Sequence, residues 1–86
     1  MPWTVIIHRA ARNALMRLDR PLRQRIAEKI QALGDDPDDP RLDIKPLSGR
    51  LGFRLRVGGW RVLFTREEIV RVIAIEQIKP RGDAYK

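Results

Sequence analysis

The sequence predicts an α+β domain in which an N-terminal strand leads into an α-helical hairpin and then an antiparallel sheet meander, with the helices on one face of the sheet. Three observations carry this. A β-branched segment opens the chain, two apolar stripes of helical period follow, and the second half alternates apolar and polar residues around turn formers. At 86 residues the chain allows one domain, 1–86, with a single modest core. Its 43% hydrophobic and 34% charged residues describe a folded chain and exclude a disordered or fibrous one.

Residues 3–8 hold Trp3, Val5, Ile6 and Ile7 and read as a strand. The period then changes. Ala11, Ala14, Leu15 and Leu18 fall on one helical face, predicting a short amphipathic helix over residues 10–18. Asp19 stands where a cap is needed, Pro21 suits the first turn, and Leu22, Ile26, Ile30 and Leu33 extend a second stripe that Gly34 ends. Residues 35–41 combine Pro37 and Pro40 with Asp35, Asp36, Asp38 and Asp39, and so form a surface loop. The charge suggests a calcium loop, but the alternating ligands, central glycine and terminal glutamate of one are missing, so a solvated turn is expected and no metal is assigned.

Three alternating segments follow, at residues 53–57, 60–65 and 69–78. Gly58-Gly59 fits a two-residue hairpin turn and residues 66–68 a second turn. Alternation places Phe53, Leu55 and Val57 on one face and Arg54 and Arg56 on the other, while Trp60, Val62 and Phe64 oppose Arg61, Leu63 and Thr65. With the apolar sets against the helices, Arg54, Arg56 and Arg61 project from the uncovered face. Two readings stand side by side: a solvated open face, which is ordinary for antiparallel sheets, or a phosphate site, since guanidinium forks match phosphate oxygens. Trp60 reads as a core aromatic and Glu76 as a structural carboxylate.

Charge favours looking here. The net charge is +7, split as +5 over residues 1–33, −4 over 34–43, +6 over 44–66 and 0 over 67–86. A segment of six cations without a carboxylate must face solvent, a remote acidic segment or a polyanion. The chain has no cysteine and one histidine, His8, which excludes disulfides, thiolate metal sites and cysteine nucleophiles. No apolar run reaches the roughly 18 to 20 residues a membrane helix needs and no signal pattern opens the chain, so a soluble, cytoplasmic protein is expected. The final segment adds Lys79, Arg81, Tyr85 and Lys86, in which nearby cations favour the phenolate of Tyr85 and make it a usable base.

These residues carry a resemblance. Leu18-Asp19, Arg25-Ile26, Lys45-Pro46-Leu47-Ser48-Gly49, the stretch from Phe53-Arg54-Leu55-Arg56 through Trp60-Arg61-Val62-Leu63-Phe64, and the ending Ile78-Lys79-Pro80-Arg81 with Tyr85 recur in that order in the RelE/ParE superfamily of bacterial toxins. The chain resembles that superfamily over nearly its whole length, and the RelE-like branch in particular. The resemblance implies a toxin of a type II toxin–antitoxin pair that cuts messenger RNA on the ribosome without a metal or other cofactor. It further implies catalytic roles for Arg61, Tyr85 and one or both of Lys79 and Arg81, and RNA-binding roles for Arg54, Arg56, Lys45, Arg50 and Lys86. Expected partners are a cognate antitoxin, in a toxin–antitoxin hetero-oligomer, and the ribosome with its messenger; no membrane is expected. Pro80 and Gly82 depart from the family's basic ending. ParE-like members inhibit DNA gyrase without cutting RNA, which gives the alternative function; a non-catalytic nucleic-acid-binding module is the third.

Overall fold

The structure, a computed structural model, describes residues 2–80. Its elements are β1 (Thr4–Ile7), α1 (Arg9–Met16), α2 (Arg20–Asp35), β2 (Ile44–Pro46), β3 (Phe53–Val57), β4 (Trp60–Glu67) and β5 (Val72–Pro80). The five strands form one sheet in the order β1-β5-β4-β3-β2. β2 to β5 are an antiparallel meander, whereas β1 lies parallel to β5 through the register Thr4 to Val72 and Ile7 to Ile75.

Both helices pack on the same face. Ala11 of α1 and Ile26, Ile30 and Leu33 of α2 meet Leu55, Val62, Phe64, Ile73, Ile75 and Ile78 of the sheet, all buried. Each large side chain withdrawn from water there contributes about 1.5–3 kcal/mol. Phe53 and Phe64, paired across β3 and β4, stack with centroids 5.6 Å apart, and Trp60 packs half-buried on the same core as expected. Asp19 takes the N-cap position of α2, but its side chain makes no capping hydrogen bond. Gly34 lies within the last turn of α2 and serves a different end from the one its type suggests: a Cβ there would stand 2.7 Å from Cγ2 of Val5, so only glycine lets α2 approach β1 this closely. The Trp3 amide donates to the Gly34 carbonyl at 2.7 Å across the same contact. The acidic loop is held by its own side chains, with Asp36 Oδ1 accepting from the Asp38 amide and Asp39 clasping Arg41 in two side-chain hydrogen bonds.

Two boundaries differ from the expectation. β4 continues through Glu67, and the second turn falls at residues 68–71, so Ile69 and Val70, expected to begin the last strand, are exposed at the hairpin tip. A β-bulge explains part of the difference. Leu63 pairs with Gln77 but Phe64 with Ile75, which leaves Glu76 as an extra residue in β5 and resets its alternation. Accordingly Ile73, Ile75 and Ile78 all reach the core despite their uneven spacing. Among the described residues no helix is long and apolar enough to cross a membrane.

Candidate nucleic-acid interface

The face of the sheet away from the helices carries cations in cross-strand register. Arg56 on β3 stands opposite Arg61 on β4, which stands opposite Lys79 on β5. One pleat repeat away, about 7 Å along the strands, a second row runs Lys45, Arg54, Leu63, Gln77 across β2 to β5. Like charges directly opposed across a ladder are destabilising. A row of three cations is therefore an arrangement the sheet keeps at a cost to its own stability.

These rows and the loop between β2 and β3 enclose a groove of about 480 Å³ lined by Lys45, Arg50, Arg54, Arg56, Arg61 and Lys79 together with Pro46, Leu47, Ser48 and Leu63. The loop is shaped by glycine: Gly52 adopts φ 116° with its Cβ position 3.0 Å from the Phe64 carbonyl, so no other residue fits that bend. Gly58, at φ 60°, makes the tight β3–β4 turn that brings Arg56 and Arg61 opposite one another.

Two carboxylates temper the charge. Asp43 lies 3.8 Å from Nη2 of Arg54 and 3.9 Å from Nε of Arg56, and Arg50 reaches across β3 and β4 to bring Nη2 within 3.6 Å of Glu76. All three separations exceed hydrogen-bonding distance, so these are loose ion pairs. Arg54 differs from the expected solvated side chain. It is on the anticipated face, but the residue is only 9% exposed, and its Nη1 is buried with no hydrogen-bond partner. The carboxylates that meet these cations come from outside β3 and β4, Asp43 from just before β2 and Glu76 from β5.

The structure thus gathers Arg54, Arg56, Arg61, Lys79, Lys45 and Arg50 into one groove. Arg81, Tyr85 and Lys86 lie outside the described residues. Strand parity already sets Leu63 beside Arg61 on this face, whereas Asp43 and Gln77 were not read as parts of it.

A second cavity, of about 460 Å³, lies at the acidic loop around Trp3, Asp38, Arg66 and Glu68. Its central cation, Arg66, is already paired. Arg66 donates from Nε to Glu68 at 2.6 Å and from Nη1 to Asp38 at 3.1 Å, while its guanidinium carbon sits 4.9 Å from the Trp3 ring centroid. Burial opposes the charged form of Arg66, but the hydrogen bonds to Glu68 and Asp38 outweigh it and raise its pKa. This cluster fastens the loop to β4.

The profile of a family described as the ParE toxin of the type II toxin–antitoxin system, parDE, matches residues 5–79. Among solved structures, the archaeal RelE–RelB complex from Pyrococcus horikoshii OT3 is similar at TM-score 0.82 and 30% identity over 95% of this chain and 98% of that one. The toxin–antitoxin complex RelBE2 from Mycobacterium tuberculosis is similar at TM-score 0.81 and 26% identity, covering 96% and 95%. The free E. coli toxin RelE, as a double arginine-to-alanine mutant, shares the fold at TM-score 0.73 and 15% identity, covering 98% and 88%. A search of curated proteins finds no match.

Proposed function

The chain belongs to the ParE toxin family, within the RelE/ParE superfamily, and is a toxin of a type II toxin–antitoxin system; on that premise we propose that it is an endoribonuclease acting on messenger RNA in the ribosome. One observation supports this above others: the opposed row Arg56, Arg61, Lys79, which sets three like charges side by side across three strands of the face away from the helices. A ribose-phosphate backbone is the ligand that repays such a row.

In this reading the 2′-oxygen of a ribose forms a bond to its own phosphorus as the bond from phosphorus to the 5′-oxygen breaks. The products are a 2′,3′-cyclic phosphate and a 5′-hydroxyl end. Arg61 and the neighbouring cations stabilise the charge gathering on the equatorial oxygens. The resemblance assigns Tyr85 a part in taking the proton of the 2′-hydroxyl and makes Lys79 or Arg81 the catalytic cation; a proton from the Lys79 ammonium or from water goes to the departing 5′-oxygen and completes the 5′-hydroxyl. A site built of cations leaves in-line geometry to be imposed from outside, and the ribosome supplies that orientation. The relatives crystallised with RelB support a further partner, a cognate antitoxin whose acidic segment covers the groove and neutralises it.

A second reading is gyrase inhibition without RNA cleavage. The match to the ParE profile favours it, as does Pro80, which closes β5 where a basic ending would be expected of a nuclease. Induction of the chain alone, with messenger 5′ ends mapped on translating ribosomes and a supercoiling assay in parallel, separates the two. New 5′ ends inside codons that vanish in Arg61→Ala bear out the nuclease. Blocked supercoiling with an unchanged 5′-end map assigns the second reading.

A further inference from the structure

The cations account for only part of the groove. Pro46, Leu47 and Leu63 form an apolar strip along it, and Leu63 is the unusual member. Strand parity turns it away from the helices, into the row of Lys45, Arg54 and Gln77, yet it is 7% exposed. A leucine in the floor of a basic groove contributes nothing to holding phosphate. Its neighbours are equally unusual. On one side Nη1 of the nearly buried Arg54 has no hydrogen-bond acceptor, and on the other Oε1 of Gln77 is buried with no donor. Unsatisfied buried polar atoms are expensive to keep and call for an explanation.

The ligand that answers both the leucine and the Arg54 donor is flat, apolar on its faces and polar at its edge. We propose that Pro46, Leu47 and Leu63 form a nucleobase subsite, in which a base lies over Leu63 with an edge acceptor toward Arg54, while the Arg56–Arg61–Lys79 row takes the adjoining phosphate. The inference rests on the nucleic-acid reading of the groove and divides its residues into two sets. Arg54, a donor-only group lining the groove, meets ring nitrogens and keto oxygens. The two rows are one pleat repeat apart, about 7 Å, so base and phosphate contacts fall side by side along the strands. A bare phosphate chain would leave Leu63 unused.

The test measures binding by fluorescence anisotropy of a labelled single-stranded RNA decamer, the matching abasic decamer and a Glu/Leu-rich peptide. Wild-type protein is expected to prefer the base-bearing decamer about tenfold, the effect of removing roughly 55 Å² of apolar surface from water. Leu63→Asn should erase that preference and leave abasic binding unchanged. Leu47→Ala, in the loop, should reduce it in the same direction without risk to the sheet, and thermal melts confirm folding of both. Equal affinity for the two decamers overturns the subsite while leaving the 5′-end test of function untouched. Binding of neither decamer also overturns it. If the two leucine variants weaken the peptide and not the RNA, the strip belongs to a protein segment and the proposal fails.

Discussion

Six cations line the groove, and Asp43 and Glu76 stand against three of them, which leaves an effective excess of four positive charges for a polyanion. For single-stranded nucleic acid each neutralised phosphate contributes about −0.7 to the slope of log K against log salt, so the slope should be about −2.8. Between 50 and 200 mM salt the affinity for an RNA decamer then falls about 50-fold. Removing one contact in Arg61→Ala lowers that fall to about 20-fold, while Glu76→Gln, which frees Arg50, raises it to about 130-fold. The opposing signs are what make the prediction sharp. Anisotropy titrations at four salt concentrations measure all three slopes on protein whose fold is checked by its melting curve. A Glu76→Gln slope equal to or shallower than wild type would refute the idea that the bulge places a competing carboxylate on the ligand's path. An unchanged slope in Arg61→Ala would remove the groove as the polyanion site altogether.

Two further outcomes concern the scaffold. Gly34→Ala sets a methyl 2.7 Å from Cγ2 of Val5 and should destabilise the fold by about 1–3 kcal/mol in urea unfolding; Val5→Ala in the same chain should recover part of the loss, and strictly additive effects would contradict the close approach. The side-chain and backbone hydrogen bonds from Arg41 hold the Asp39 carboxyl below its ordinary value of 3.8, so its contribution is present above that pH and is lost as pH falls through the lower folded value. Asp39→Asn should accordingly destabilise the protein at neutral pH and flatten the acid limb of a melting profile below about pH 4; an unchanged acid limb would count against the clasp.

The helices were readable because their apolar positions recur at a period nothing else imitates: α1 and α2 fall within two residues of the expected bounds. The basic face was readable for the same kind of reason, since alternation assigns Arg54, Arg56 and Arg61 to one side before any contact is known. β2 escaped because three residues with a terminal Pro46 give no alternation to detect, yet it is the strand that carries Lys45 into the groove. Ile69 and Val70 misled because their β propensity suits a strand and the ladder's end is fixed elsewhere, by pairing between β4 and β5. The burial of Arg54 was out of reach for a different reason. Depth depends on how the strands and the β2–β3 loop pack in three dimensions around it, and alternation along one strand carries no record of that.

The parallel pairing of Thr4 with Val72 joins the first strand made to the last one described. A nascent chain therefore holds β1, α1 and α2 without a completed sheet to cover until β5 clears the ribosomal exit tunnel, and Lys79 arrives with that same strand. Toxicity is thus scheduled by topology: until translation has passed β5, the product carries an incomplete weapon, and any inhibitor with high affinity for the finished sheet has that interval in which to be waiting.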